Sequence, residues 1–372
     1  MKILITLGAF AMPHLAAACC AMLCCLLLWS PVAGATAVPA PAVAAHRTMT
    51  YAYFPLAVPV AVVAEIFKRD RILASNLAKQ GITLQFQPLA KGKEVVALLS
   101  QGKVDAFCIS DSPLMEAAQA VDLAVLGMVK QSYAAVVAPT GTRMSELRQK
   151  RVGSVAGSTS HQALLQGMAA AGLTEKDLTL VMMEVNALPE ALLQKRVDAI
   201  AAWEPTPSAL LAQHPRRFKR IYQQASYSYF VVTRQLFEQQ PEVARELSAA
   251  LLRGVRWLKR DPANLALASR WTVDSMAAFT GKPAMLTPQE VARVTTLDLL
   301  DVPGLPLLRT GSNDEETLKR LFDFMHRQQQ LPPRSSWKVL QTGLKPAYLR
   351  RVAAEPKRHQ LQQFSYSTGA AP

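Results

Sequence analysis

Cysteine is nearly absent from most of this chain. Of its five cysteines, Cys19, Cys20, Cys24 and Cys25 fall in the first 37 residues, and only Cys108 lies beyond them. No disulfide can form within residues 38–372, and no cysteine-rich metal site can be built there. That part of the chain has to be held together by its apolar core. Cys108 sits in the apolar run AFCIS, where a buried, inert thiol is expected. Catalytic signatures are missing too. There is no Gly-x-Ser-x-Gly, no glycine-rich phosphate loop, no His-Glu-x-x-His and no paired His/Cys spacing. His46, His161, His214, His326 and His359 stand isolated, so neither a metal site nor a cofactor is expected. Zinc-finger spacing, RNA-binding signatures and long basic helices are lacking, which argues against nucleic acid as a partner.

Acidic residues are scarce relative to basic ones. The 372 residues carry a formal charge of +14, and the first 37 contain Lys2 but no acid. The remaining chain has 40 basic and 27 acidic residues, a surplus that suits anionic partners or simply solubility. The bases are scattered, and the longest clusters, at 216–220 and 357–359, are short. Half of the residues are apolar and 18% are charged, a globular balance with enough length for two domains.

The amino terminus reads as a targeting segment. Met1–Lys2 precede a long apolar run that ends in SPVAGATA, and Ala35 and Ala37 fit the small-x-small cleavage rule. Residues 1–37 are therefore expected to be a signal peptide, which implies export to the periplasm. The run exceeds a usual signal core. A later start at Met12 or Met22, a retained anchor helix, or lipidation at Cys19 stay open as alternatives. Residues 38–46 form a Pro/Ala-rich linker.

From Arg47 onward strands and helices alternate. TMTYAYF, GITLQFQPL and VDAFCIS read as strands, with VPVAVVAEIFKRD and KGKEVVALLSQGK as the helices between them. This β-α-β-α-β order predicts a parallel sheet. SPLMEAAQA is a short helix, and DLAVLGMVK and SYAAVVAP read as two further strands. A second set follows: RVGSVA, STSHQALLQGMAAAG, LTLVMMEV, LPEALLQKR, VDAIAAW and PTPSALLAQHP, closing with FKRIYQ. The two segments EVVALLSQGKVDAFCISDSP and EALLQKRVDAIAAWEP echo each other, with Val104 and Val197 at matching places. A βαβ layout duplicated in two lobes accounts for that echo. Asp105 and Asp198, the matched acids, read as turn-fixing residues. Helices dominate later, with Pro241, Asp261 and the Thr287–Glu290 capping box marking their starts. Residues 346–372 lack apolar periodicity and are expected to be a flexible tail.

Polar residues at the carboxyl ends of these strands are the candidate site. Gly157-Ser158-Thr159-Ser160-His161 sits where a parallel strand turns into a helix, and free N–H groups there suit an anion. Ser110, Asp111 and Ser112 hold the equivalent place after the first Val-Asp-Ala strand, and Trp203 and Glu204 follow the second. Tyr53 and Phe54 end the first strand and can face the same cleft.

With these motifs the chain resembles the periplasmic solute-binding proteins for nitrate, sulfonates and taurine that serve ABC importers. The resemblance covers roughly residues 48–330 and rests on LLSQGKVDAFCISDSP, RVGSVAGSTSHQALLQGMAAAGL, ALLQKRVDAIAAWEP and PEVARELSAALLRGVRWLKRDP. It implies an α/β fold of the two-lobed type II periplasmic-binding-protein kind, each lobe a mainly parallel sheet flanked by helices, with a hinge of two crossover strands. The implied boundaries are lobe 1 at 47–138 and 223–345 and lobe 2 at 139–222. Implied partners are a small-molecule ligand and an inner-membrane permease with its ATPase, the binding protein itself being a monomer. Implied contacts come from Ser110–Ser112, Ser158–His161 and the Trp203–Glu204 loop. The family also includes binders of thiamine-precursor pyrimidines and an enzyme branch that makes the pyrimidine through a cysteine-rich motif absent here. The first loop, YAYFPLAVPV, lacks the small polar residues common in sulfonate binders. Capture of a small anion by hinge closure, without bond chemistry, is the expected function. The alternatives are a pyrimidine binder, an enzyme on the same scaffold in which Glu204 and His161 act as an acid–base pair, and the sensing domain of an anchored receptor.

Overall fold

The computed structural model describes residues 47–308 and 312–369. The signal-peptide and linker expectations lie outside them. Among the described residues no helix is long and apolar enough to cross a membrane.

Eight strands form one sheet. They are β1 (Arg47–Tyr53), β2 (Ile82–Pro88), β3 (Ala106–Ser110), β4 (Leu123–Pro139), β5 (Arg151–Ser154), β6 (Thr179–Met182), β7 (Ala199–Trp203) and β8 (Phe218–Thr233). Their order is β2-β1-β3-β8-β4-β7-β5-β6. The order is nearly symmetric about its centre. β1 lies between two parallel partners, β2 and β3, as β5 lies between β6 and β7. The long antiparallel pair β4 and β8 joins the halves, each strand also pairing with a short one at its side. DLAVLGMVK and SYAAVVAP are thus a single 17-residue strand, and FKRIYQ belongs to a 16-residue one. No turn residue separates the halves of β4, and its apolar alternation changes phase at bulges, so sequence periodicity breaks where the strand does not.

The duplication is carried by matched aspartates. Asp105 donates its N–H to Thr50 O (3.0 Å) and accepts from Thr50 N at Oδ2 (2.8 Å). Asp198 does the same with Arg151, at 2.8 Å each way. Each aspartate pins the start of its strand to the first strand of its set and stays away from the strand ends where ligands bind.

The helices follow from their caps. In order they are α1 (Val60–Arg69), α2 (Arg71–Ala78), α3 (Gly92–Ser100), α4 (Asp111–Ala120), α5 (Thr159–Ala170), α6 (Leu188–Leu193) and α7 (Thr206–Gln213). Then come α8 (Arg234–Gln239), α9 (Pro241–Arg260), α10 (Pro262–Thr280), α11 (Pro288–Thr295), α12 (Ser312–Arg327), α13 (Trp337–Gly343) and α14 (Tyr348–Ala354). Pro241 opens α9, Asp261 caps α10 through Ala263 N (2.8 Å), and the Thr287–Glu290 box opens α11. One core gathers buried residues from Met49–Val129 and Tyr229–Leu361. The sheet's other half is covered on both faces: along β7, Ala199 and Ala201 pack toward Leu164 and Met168, while Ile200 and Ala202 pack toward Leu188 and Leu210.

The carboxyl-terminal segment departs from expectation. It is held in place through Gly369 rather than left mobile. Leu361 is fully buried, Tyr366 lies 4.3 Å from Trp257 between ring centroids, and Arg260 covers Phe364. Ser365 O accepts from Arg71 N and Ser367 N donates to Arg69 O, both at 2.9 Å. Leu349 of α14 rests on Gly127, where a Cβ would stand 2.5 Å from its Cδ1. These anchors are spaced irregularly along a chain of turns, so a search for helix or strand periodicity passes over them.

Candidate functional site

The carboxyl ends of β1, β3 and β7 and the starts of α1, α3, α4 and α5 meet at a common centre. Between them is a cavity of about 60 Å³, a few waters' worth where one sphere takes roughly 10–15 Å³. Phe54, Leu56 and Val60 line it from the first half of the fold, with Ser110, Lys91 and Gly92. Ser158, Thr159 and Trp203 line it from the second half, and Lys130, Ser226 and Ser228 from the long strands between.

Of the residues expected from sequence, Phe54, Ser110, Ser158, Thr159 and Trp203 reach this cavity. Ser110 and Ser158 are the N-caps of α4 and α5, and Lys91 that of α3. Three helix N-termini therefore converge, and their partial positive charge favours an anion. Ser158 Oγ accepts from His161 N (3.2 Å), donates to Val155 O (2.7 Å) and lies 2.8 Å from Ser160 Oγ. Ser160 is itself fully buried behind the wall.

The other expected residues stand behind or beside the cavity. Asp111 is buried, and both of its oxygens are occupied. Oδ1 accepts from Ser112 N (2.8 Å) and Thr159 Oγ1 (2.9 Å), and Oδ2 from Tyr227 N (3.0 Å). Burial pushes its carboxyl up to about 6, against the pull of those donors and of Lys130. Ser112 is buried next to it in the first turn of α4. Gly157 has φ +65°, a left-handed conformation that favours glycine, and a Cβ there would meet only the flexible Lys93 side chain of α3. His161 accepts from Gly157 N at Nδ1 (3.4 Å) and lies 3.6 Å from Glu175 through Nε2; burial lowers its pKa. Tyr53 turns to the opposite side, where its hydroxyl accepts from Lys68 Nζ at 2.7 Å. Glu204 is committed elsewhere: Oε1 accepts from Arg220 Nη2 (2.8 Å) and Oε2 from Ser208 N (3.1 Å) in the first turn of α7.

Lys130 is the functional residue that sequence reading missed. It is 3% exposed, and its Nζ donates to Glu204 O at 3.1 Å. Burial lowers its pKa while Asp298, Glu204 and Asp111 hold it up. A bulge places it there. Met128 pairs with Tyr229, yet the next partner, Ser228, faces Lys130 rather than Val129. One extra residue thus re-aims the lysine into the cavity. Ser228 also pairs with Ser110, so Ser110, Ser228 and Lys130 form a polar row across β3, β8 and β4. The signal in the sequence was a lone lysine inside an apolar strand, which is costly unless paired or used.

Residues 77–265 match the family described as NMT1/THI5 like. The chain belongs to this NMT1/THI5-like family. The taurine-binding periplasmic protein of Escherichia coli (strain K12) is 27% identical over 166 residues, 44% of this chain and 50% of that protein. The match thus spans about half of that relative's length. Among solved structures, the alkanesulfonate-binding protein SsuA from Xanthomonas axonopodis pv. citri bound to MOPS aligns with a TM-score of 0.61. It is 19% identical, and the alignment covers 80% of this chain and 98% of that one. The desulfurization enzyme DszB aligns with a TM-score of 0.52 at 16% identity, over 83% of this chain and 99% of that one. At these identities the structural likeness establishes the fold, the two-lobed architecture of periplasmic binding proteins. The cavity is lined by residues from both halves of the sheet, which the long strands β4 and β8 join.

Proposed function

We propose that this protein is the extracytoplasmic solute-binding component of an ABC importer, capturing a small anion of the sulfonate, taurine or nitrate kind by closure of its lobes. In this reading lobe 1 comprises 47–138 and 223–345, lobe 2 comprises 139–222, and an amino-terminal signal delivers the chain to the periplasm. One observation carries the proposal: buried Lys130, the serine row and three helix N-termini converge on one small cavity that both lobes enclose. Preorganised donors of this kind hold an anion by charge-assisted hydrogen bonds, with no covalent bond made or broken. The closed form, fixed by contacts to both lobes, is what a permease with its ATPase recognises.

The enzyme alternative finds little support in the chemistry of the cavity. Cys108 lines it, but burial pushes the thiol up to about 12 and Tyr51 donates its hydroxyl to Sγ at 3.1 Å. A thiol in that state is a poor nucleophile. His161 and Glu204, the expected acid–base pair, are each engaged outside the cavity.

Calorimetric titration of the exported protein with short alkanesulfonates, taurine and nitrate tests the proposal. Saturable binding of one of them, lost in Lys130→Met, is the expected result. Binding that survives Lys130→Met unchanged contradicts it.

A further inference from the structure

We propose that the solute is a monoanion whose body is apolar and carries no amine, and that the cavity turns zwitterions away. The inference rests on the solute-binding reading above and narrows it.

The head-group end is set by backbone register. Ser110, Ser228 and Lys130 stand side by side on three adjacent strands, with Ser158 and Thr159 approaching from α5. An ammonium has three donors, and Lys130 spends one on Glu204 O. The others serve an acceptor such as a sulfonate or carboxylate oxygen.

The rest of the lining offers nothing comparable to a cation. No carboxylate lines the cavity among the described residues. Of the three carboxylates that act on Lys130, Asp298 lines a separate pocket with Arg220 and Arg293, and the other two are engaged: Asp111 with Ser112 N, Thr159 Oγ1 and Tyr227 N, and Glu204 with Arg220 and Ser208 N. Away from the head group, the walls are Phe54, Leu56, Val60 and Trp203. An ammonium placed against them would give up its water, find no acceptor for its protons and share a small cavity with a buried lysine. The ring faces of Phe54 and Trp203 attract a cation, but more weakly than that loss of hydration. A methyl group in the same position gains from the same walls.

Matched pairs test the inference on the intact exported protein. Taurine and propane-1-sulfonate differ only by ammonium against methyl, as do β-alanine and butanoate. In whichever pair binds, the methyl member is expected to bind on the order of a hundredfold tighter, because the zwitterion leaves a charged group buried and unpaired. Equal affinity, or preference for taurine or β-alanine, overturns the inference while leaving anion capture intact. Silence from all four compounds and from nitrate overturns anion capture itself, and the inference with it.

Discussion

Thr159 Oγ1 donates to Asp111 Oδ1 across 2.9 Å, tying the first turn of α5 to the first turn of α4. The two helices belong to opposite halves of the sheet, so in the proposed lobe closure this bond forms only when the cavity shuts. Both partners are almost wholly buried. Thr159→Val removes the donor and leaves a buried carboxylate one bond short. It should weaken solute affinity roughly five- to a hundredfold, the equivalent of about 1–3 kcal/mol for an unsatisfied buried group. Calorimetry on the variant measures this. Affinity within twofold of the parent would show that the bond does not report on closure.

In the proposed closure Asp111 supplies a pH dependence. Its pKa rises from 3.8 to about 6 because burial outweighs its donors. A raised pKa means that a closed form with this burial binds the proton more tightly than a solvated Asp111 does. The resulting stabilisation is fully present below about pH 4, is lost as pH climbs through about 6, and changes little above that. Small-angle scattering of the solute-free protein between pH 4 and 7.5 should show the more compact form at the acid end. Asp111→Asn should remove the trend. Compaction that increases between pH 4 and 6 would have the wrong sign.

Lys130→Met is read against a second variant. The lysine is buried, its charge is disfavoured there, and Asp298, Glu204 and Asp111 act on it. Removing one partner from buried charges strands the others, so Lys130→Met should lower urea stability by about 3–5 kcal/mol. Combining it with Asp298→Asn should recover much of that loss while anion affinity stays at least tenfold down. Recovery of affinity together with stability would make Lys130 a structural residue.

The carboxyl-terminal segment closes over a fully buried ion pair. Arg253 donates to Asp70 Oδ2 from Nε (2.9 Å) and Nη2 (2.7 Å), while Asp70 Oδ1 caps α2 through Ile72 and Leu73. Arg253 Nη1 also reaches His359 O at 3.4 Å. Arg253→Met strands the aspartate and should cost about 3–5 kcal/mol in urea unfolding. It should also free residues 356–369 to proteolysis. An intact, protease-resistant variant would mean that Leu361 and Tyr366 suffice to hold the segment.

Much of this architecture could be read from the sequence, for identifiable reasons. The repeated Val-Asp-Ala turns announced the duplication because Asp105 and Asp198 each fix a strand start through their own side chain. Pro241, Asp261 and Thr287 marked helix starts because capping is local. Ser110, Ser158, Thr159, Phe54 and Trp203 could be placed because helix N-termini and strand ends carry such residues toward a common face. Lys130 could not, since its direction depends on a bulge that only pairing with β8 reveals. Glu204 looked available because neither Arg220 nor the first turn of α7 announces itself as its partner. The segment after Tyr348 escaped because its anchors follow no period.

The central claim is capture of a small anion by Lys130 within a closing cleft. Titration of parent and Lys130→Met proteins with propane-1-sulfonate, followed by thermal unfolding, addresses it directly. Saturation at a hundred times the parent's dissociation constant should stabilise the parent by about 2.7 kcal/mol and the variant, at least tenfold weaker, by about 1.4 kcal/mol or less. Equal stabilisation of both proteins, or of neither, would contradict the account.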